Sequence, residues 1–219
     1  MTKIEERWEE KMREVVKRGT QLLLEADPKR VLLMMDCTKE NPLYSELYKQ
    51  TKQLEKQLQK EIQPFYQIKE CQVKGLGNGY AVLLTMGDKI SDCIGHLLQE
   101  DFMTGMLANC IADQLLFSME EQMQPEVIQM AKEEGVGLVA RKEAPIDFRV
   151  EDVLAVMGKE VPVTVTNGGM LKPEKSMLFF FEKTNDTSCY RIGHDCKNCT
   201  KKNCNYAKKV NIRQFAGKE

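Results

Sequence analysis

The sequence lacks the features by which membrane-spanning and secreted proteins are recognised. Its longest apolar runs are five residues, for example residues 31–35, whereas a membrane span needs about 18 or more. The first residues, MTKIEERWEE, are charged from the third position and contain no apolar segment of a secretory signal. We therefore expect a cytoplasmic protein with no membrane partner.

Histidine and net charge are also scarce. The chain contains only His96 and His194, so a Ser–His–Asp or Cys–His catalytic arrangement has few candidates. Lysine and arginine total 32 against 33 aspartates and glutamates, which argues against a nucleic-acid partner. No phosphate-binding loop, zinc-protease helix or calcium loop is present. The remaining composition, 42% hydrophobic and 30% charged, is that of a globular domain.

Helical and extended patterns follow one another irregularly along the chain. The spacing of apolar residues predicts helices over residues 2–27, 43–62, 88–98, 102–123 and 151–157, with a further short helix after Pro125. Apolar or alternating runs predict strands over residues 31–35, 65–73, 80–85, 136–140, 161–166 and 177–182, with a tight hairpin at Asn78-Gly79. We expect an α+β fold in which long helices pack on a single, mainly antiparallel, twisted sheet.

The chain divides by composition into a domain over residues 1–186 and a basic, cysteine-rich tail over residues 187–219. Four of the eight cysteines lie in this tail, as Cys189-x6-Cys196-x2-Cys199-x4-Cys204. Disulfides are not expected, because cytosolic thiols stay reduced. Thiolates at such short spacings converge on one soft metal or one cluster. Four of them complete either a tetrahedral zinc site or a four-iron cluster.

The identity of the metal remains open between these two. Structural zinc commonly shows two Cys-x2-Cys knuckles, and only Cys196 and Cys199 form one here. Irregular short spacing is typical of iron–sulfur proteins, so we favour a 4Fe-4S cluster with zinc as the alternative. His194 is a minor candidate in place of Cys189. From Cys189 onward eight basic residues oppose two acidic ones, a local charge of about +6 that suits an acidic partner or simply a solvated terminus.

Three segments occur in a characteristic order: GYAVLLTMG from Gly79, GVGLVARKEA from Gly135 and NGGMLKPEKSML from Asn167. Together with the cysteine tail they resemble the activation (S-adenosylmethionine-binding) domain of cobalamin-dependent methionine synthase. The stand-alone bacterial proteins of that family resemble the chain more closely, and some of them end in a similar Cys-x2-Cys-x4-Cys tail. The second segment stands where the family carries its Arg-x-x-x-Gly-Tyr loop, and the third is similar to the family's small-residue turn before a strand.

The resemblance implies a function in reductive reactivation. In that family the domain holds S-adenosylmethionine over a corrinoid, so that one electron and a methyl cation restore methyl-Co(III) from inactive Co(II). The resemblance implies that Arg141, Ala144 and Pro145 bind S-adenosylmethionine, with Arg141 hydrogen-bonded to a carboxylate. The family's Gly-Tyr is absent, because Ala144-Pro145-Ile146-Asp147 stands there.

The implied partner is a corrinoid-binding methyltransferase or corrinoid protein, with an electron-donor protein as a further candidate. The residues expected to face the corrinoid form one turn, made of Lys172, Pro173, Glu174, Lys175 and Ser176. A cluster held by the four tail cysteines would relay the electron. Two alternatives remain open. One is a non-catalytic module that docks on or caps the corrinoid protein and has a structural zinc tail; the other is an unrelated iron–sulfur electron carrier.

Overall fold

A five-stranded sheet organises the chain. The structure is a computed structural model and describes residues 16–193. Its elements, in chain order, are β1 (Val16–Gly19), α1 (Pro28–Met34), α2 (Tyr44–Leu58), β2 (Phe65–Val73), β3 (Gly77–Thr85), α3 (Asp88–Glu100), α4 (Phe102–Glu134), β4 (Gly137–Glu143), α5 (Val150–Met157), β5 (Thr164–Val165), β6 (Leu171–Lys172) and β7 (Ser176–Thr184). The sheet has the order β1-β2-β3-β7-β4, and every neighbouring pair is antiparallel. This confirms the predicted α+β class.

The two faces of the sheet support two separate cores. On β3, Tyr80, Val82 and Leu84 face the core that α1 to α4 cover, whereas Ala81 and Leu83 face the other side. Strand β7 alternates in the same way, so Phe179 and Phe181 share the first core and Phe180 the second. Helix α5 and the small β5–β6 hairpin cover the second face. The period of two along each strand thus divides the apolar residues between the faces.

Helix α4 is the longest element, with 33 residues and a length of about 50 Å. It begins at Asp101, whose side chain accepts hydrogen bonds from the backbone of Met103 and Thr104, and ends at Gly135 in the left-handed conformation. The predicted break at Pro125 is wrong, because the helix continues through this exposed proline. Buried residues on both sides of it pack on the sheet and hold the two halves in line. No helix within residues 16–193 is long and apolar enough to span a membrane.

The apolar run at residues 31–35 lies mostly in a helix, so the predicted strand is wrong. Asp27 starts α1: its carboxylate accepts a hydrogen bond from the backbone of Lys29 at 2.9 Å, and Pro28 occupies the first turn. A run of five apolar residues does not distinguish a strand from a buried helix by itself. The cap and the proline favour the helix.

The first predicted helix, over residues 2–27, is also corrected where the structure describes it. Residues 1–15 lie outside the described part of the chain. Residues 16–19 form β1, which pairs with β2 from Val16 opposite Lys69 to Gly19 opposite Tyr66, and residues 20–27 are not helical. Pairing with the sheet has overridden the local helical pattern.

The hairpin between β2 and β3 is confirmed, but its turn lies earlier than predicted. Strand pairing extends to Val73 opposite Gly77, so the loop is residues 74–76, and Asn78 and Gly79 belong to β3. Gly75 supplies the positive φ of 85° that the loop requires. Leu76 is buried in the second core, which fixes the loop at this position.

Candidate functional site

Arg141 lies on β4 and points toward α4, between the sheet and the helix layer. Its Nη2 lies 2.9 Å from Glu120 Oε1, and its Nη1 pairs with the carboxylate of Glu143. The guanidinium carbon is 4.1 Å from the centroid of the Phe179 ring. Only 3% of the Arg141 side chain is exposed. The arginine that the family resemblance assigns to the methyl donor is therefore buried and bound to two carboxylates.

Glu120 is one of two carboxylates in this group to which the sequence analysis gives no role, the other being Glu143. Glu120 projects from the middle of α4 and also accepts a hydrogen bond from Gln124 at 3.1 Å. Burial raises the pKa of the Glu120 carboxyl, and the charge of Arg141 offsets this only in part. The pair joins the longest helix to an edge strand of the sheet.

Ala144 and Pro145 begin the loop that follows β4. Ala144 donates its backbone N–H to the carbonyl of Leu178 at 3.1 Å and packs on the second core, whereas Pro145 is exposed. Asp147 closes the loop, because its carboxylate accepts the backbone N–H of Glu143 at 2.8 Å and its own N–H returns to the Glu143 carbonyl. The loop is held by its backbone and leaves Ile146 69% exposed.

The predicted corrinoid-facing turn is partly exposed and partly buried. Lys172 and Glu174 are exposed, whereas Pro173 is buried. Lys175 points to α4, where its Nζ lies 2.6 Å from Asp113 Oδ1 and 2.8 Å from Asn109 Oδ1. Lys175 therefore ties the turn to the helix layer.

Ser176 lies at the end of this turn and on the opposite face of the sheet from Arg141. Its hydroxyl donates to the Thr85 hydroxyl at 2.7 Å, and these two residues pair across β3 and β7. Ala144 is hydrogen-bonded to Leu178, which follows Ser176 by two residues on β7. The loop after β4 and the 172–176 turn therefore meet at the same end of β7. The structure thus brings Ala144 and the 172–176 turn together and leaves Arg141 on the helix side.

A third ionic group lies near the other end of β7, where no site was predicted. Lys183 Nζ is 2.5 Å from both Glu70 and Glu134, and it lies 4.5 Å from the centroid of the Tyr80 ring. The Tyr80 hydroxyl donates to Glu134. Although burial opposes it, these hydrogen bonds from Lys183 and Tyr80 lower the pKa of Glu134.

Three ion pairs of one kind therefore connect α4 to the sheet. Each joins a carboxylate of α4 to a cation of β4, of β7 or of the turn before β7, and the carboxylates are spaced by multiples of seven residues. The pairs are Asp113 with Lys175, Glu120 with Arg141, and Glu134 with Lys183. Charged residues at heptad spacing within an apolar helix are the sequence signal that would have found them.

Of the four predicted metal-binding cysteines, the structure describes only Cys189. The segment before it packs closely on β4, since a Cβ on Gly137 would lie 1.8 Å from the Asp186 carbonyl. The Cys189 carbonyl accepts the N–H of Leu138 at 2.7 Å, and its thiol donates to the Leu138 carbonyl at 3.3 Å. The start of the tail is thereby attached to the edge of the sheet.

Cys196, Cys199 and Cys204 lie outside the described residues. Within residues 16–193, no group of three His, Cys, Asp or Glu residues is arranged to hold a metal ion. Burial raises the pKa of the scattered Cys71 thiol and raises that of Cys110 to about 11, which disfavours the reactive thiolate at both. The metal site stays a prediction for the tail.

An open cleft of about 510 Å³ lies beside α1 and α4, and none of the predicted site residues lines it. Its walls include Glu25, Asp27 and Glu121, and Arg30 Nη1 lies 3.1 Å from the Glu121 carboxylate. The cleft is thus polar and already carries its own ion pair.

Comparison with known proteins identifies the fold. No protein-family model and no curated protein matches the chain. Among solved structures, it is similar to the MetH reactivation domain bound to AdoHcy, with a TM-score of 0.57 and 11% sequence identity. The match covers 83% of this chain and 82% of that chain. The predicted resemblance to the methionine synthase activation domain is confirmed, and at this identity the likeness is one of fold.

Proposed function

We propose that the chain is a reactivation factor for a corrinoid-bearing methyltransferase and that it uses S-adenosylmethionine as the methyl donor. The observation that supports this most is the match over 83% of the chain to the MetH reactivation domain. That domain was solved with AdoHcy, the product that remains when S-adenosylmethionine loses its methyl group. Conversion of the donor to this product is the chemistry that reactivation requires.

The reaction takes place on the corrinoid of the partner. One electron reduces Co(II) to Co(I), and the cobalt electron pair then attacks the methyl carbon of the sulfonium. A Co–C bond forms, the C–S bond breaks, and AdoHcy leaves with the former bonding pair on its sulfur. The cobalt provides the nucleophile, so this chain would contribute donor binding and orientation.

The proposed donor site lies where β4 ends beside the start of β7. Arg141 would bind the donor carboxylate through its guanidinium on the helix side of β4, and Ala144 and Pro145 would contact the donor from the loop that follows this strand. The exposed part of the 172–176 turn, Lys172 and Glu174, would face the corrinoid. The contact between Ala144 and Leu178 supports this arrangement, because it joins the loop after β4 to the strand that follows the turn.

The tail would supply the electron. We propose that Cys189, Cys196, Cys199 and Cys204 hold a 4Fe-4S cluster, because iron–sulfur centres reach the low potentials that Co(II) reduction needs. The attachment of Cys189 to Leu138 would keep the cluster beside β4, three residues from Arg141 along the strand. Zinc bound to the same cysteines would instead make the tail structural.

Donor binding is tested by calorimetry with S-adenosylmethionine and AdoHcy. We expect binding by the parent protein and a loss of at least about tenfold in affinity for Arg141→Ala. Lys142→Ala is the matched control, because Lys142 is the next residue of β4 and its Nζ lies 2.8 Å from the carboxylate of Glu182. Thermal unfolding of each variant identifies any loss of folding. Absence of binding by the parent protein, or equal binding by Arg141→Ala, would contradict the proposed donor site.

Reactivation itself is tested anaerobically with free cob(II)alamin as the probe. We expect the protein, S-adenosylmethionine and a titanium(III) reductant to form methylcobalamin faster than the same mixture without protein. No acceleration, in a preparation that does bind the donor, would contradict the reactivation function.

The tail is tested by iron, sulfide and zinc analysis after anaerobic purification. We expect about four irons per chain and a brown colour from thiolate-bound clusters. Serine at Cys196, Cys199 or Cys204 should abolish metal retention, and serine at the scattered Cys71 is the control that should not. Full retention in all three tail variants would refute the site.

A second candidate function is favoured by the surroundings of Arg141. An arginine whose side chain is 3% exposed and whose guanidinium is already bound by Glu120 and Glu143 can serve as a purely structural link between α4 and β4. The chain would then dock on or cap a corrinoid protein without binding a methyl donor. About one zinc per chain, no iron and no calorimetric binding of S-adenosylmethionine would select this function.

A further inference from the structure

The two carboxylates that bind Arg141 differ in their position in the fold. Glu120 lies in the middle of α4, its side chain is 14% exposed, and Gln124 hydrogen-bonds its Oε1 at 3.1 Å. Glu143 is the last residue of β4, and 21% of its side chain is exposed. One partner of the arginine is thus built into the helix layer, and the other lies where the strand passes into a solvent-facing loop.

We propose that Glu143 occupies the place on Arg141 that the carboxylate of the methyl donor takes, so that donor binding displaces Glu143 and leaves Glu120 in place. This inference rests on the proposed function. Glu120 becomes a positioning residue that orients the guanidinium, and Glu143 becomes an internal competitor of the donor.

The geometry of the guanidinium supports an exchange at one edge. Glu120 binds Nη2, the ring of Phe179 covers a face of the guanidinium at 4.1 Å, and Glu143 binds Nη1. A carboxylate that approaches Nη1 therefore meets Glu143 directly. Because guanidinium–carboxylate bonds depend on a planar, fixed arrangement, the incoming carboxylate gains most if Glu120 and Phe179 keep the group oriented.

The loop after β4 allows the Glu143 side chain to leave without unfolding the strand. Two hydrogen bonds to Asp147 hold the Glu143 backbone: its N–H donates to Asp147 Oδ2, and its carbonyl accepts the Asp147 N–H. Release of the carboxylate from Arg141 can then take place by a change of side-chain rotamer. The neighbouring Pro145 and Ile146 are exposed, so the displaced carboxylate can reach water.

The experiment compares Glu143→Gln with the parent protein in calorimetry, using S-adenosylmethionine and decarboxylated S-adenosylmethionine as probes. We expect Glu143→Gln to raise the affinity for S-adenosylmethionine about three- to tenfold, because a neutral amide competes less well for the guanidinium. The decarboxylated probe has no carboxylate to exchange, so its affinity should not change. Glu182→Gln is the matched control, as it removes the 2.8 Å pair with Lys142 on the same strand and should leave both affinities unchanged.

Each other outcome overturns the inference in an identifiable way. Equal gains for both probes would mean that the substitution merely loosens the loop. Unchanged binding of S-adenosylmethionine would mean that Glu143 does not compete, while the proposed donor site stands. If neither the parent nor Glu143→Gln binds either probe, the proposed methyl-donor function falls together with the inference.

Discussion

Replacing Lys175 tests whether the 172–176 turn is held by the helix layer. The Lys175 side chain is 11% exposed and its ammonium contacts Asp113 at 2.6 Å and Asn109 at 2.8 Å. Exposed ion pairs are worth about 0–1 kcal/mol, and breaking a fully buried pair costs about 3–5 kcal/mol. Asp113 is 31% exposed and can be rehydrated, so Lys175 lies between these limits. We expect Lys175→Met to lower the free energy of unfolding by about 2 kcal/mol.

Urea denaturation measures this change. For a chain of this size, with a slope of about 2–3 kcal/mol per molar urea, 2 kcal/mol moves the midpoint by about 0.7–1 M. Lys172→Met is the control in the same turn, since Lys172 is exposed and should change stability by less than about 0.5 kcal/mol.

A double-mutant cycle assigns the effect to the ion pair. Lys175→Met combined with Asp113→Asn should cost about 1 kcal/mol less than the sum of the two single changes, because each single change leaves one partner unpaired. Additive costs, or a Lys175→Met variant as stable as Lys172→Met, would refute the reasoning that Lys175 anchors the turn.

Two further predictions concern strand β3 and the ion pair of Glu134 with Lys183. A Cβ on Gly79 would lie 2.3 Å from the Phe181 carbonyl oxygen, so Gly79→Ala should cost about 2 kcal/mol in urea unfolding. Gly95→Ala, in α3 with open space around it, should stabilise by about 0.5–1 kcal/mol, and equal effects of the two changes would contradict this account. Because the pKa of Glu134 is lowered from its ordinary value of 4.5, this group stabilises the folded state at pH values above 4.5. The stabilisation is lost as the pH falls through the lowered pKa. Glu134→Gln should therefore flatten the dependence of stability on pH below 4.5, and an unchanged slope would exclude this contribution.

The sequence predicts those elements whose local pattern and tertiary environment agree. Strand β2 alternates in part between apolar and polar residues, whereas β7 contains a continuous apolar run over residues 177–181 that the structure divides between the two cores. Helix α2 has a clear apolar stripe and a polar outer face, and its predicted span contains the observed one.

Errors occur where distant contacts decide the local structure. Residues 16–19 form strand β1 because they pair with β2, and their own sequence does not indicate this pairing. Pro125 normally ends a helix, yet α4 continues because Met123 and Val127 on either side of it are buried against the sheet. Packing energy has outweighed the hydrogen bond that the proline cannot form.

The candidate site divides in the same way. The loop after β4 and the 172–176 turn were identified from their residues and a resemblance, and the structure brings them to one end of β7. Glu120 and Asp113 are not predicted as site residues, because each is far in sequence from its ion-pair partner. Both also lie in a helix whose apolar pattern indicates a buried structural element. Pairing across 21 and 62 residues is information that the fold supplies.

The spacing of the three carboxylates along α4 restricts how the helix can move. Seven residues correspond to about 10.5 Å, so the three ion pairs together extend over about 30 Å of the helix. A slide by one helical turn, about 5.4 Å, would separate all three carboxylates from their cations at once. The helix layer and the sheet should therefore behave as one rigid plate when a partner docks. Any adjustment to that partner would then come from the loops at the ends of the strands.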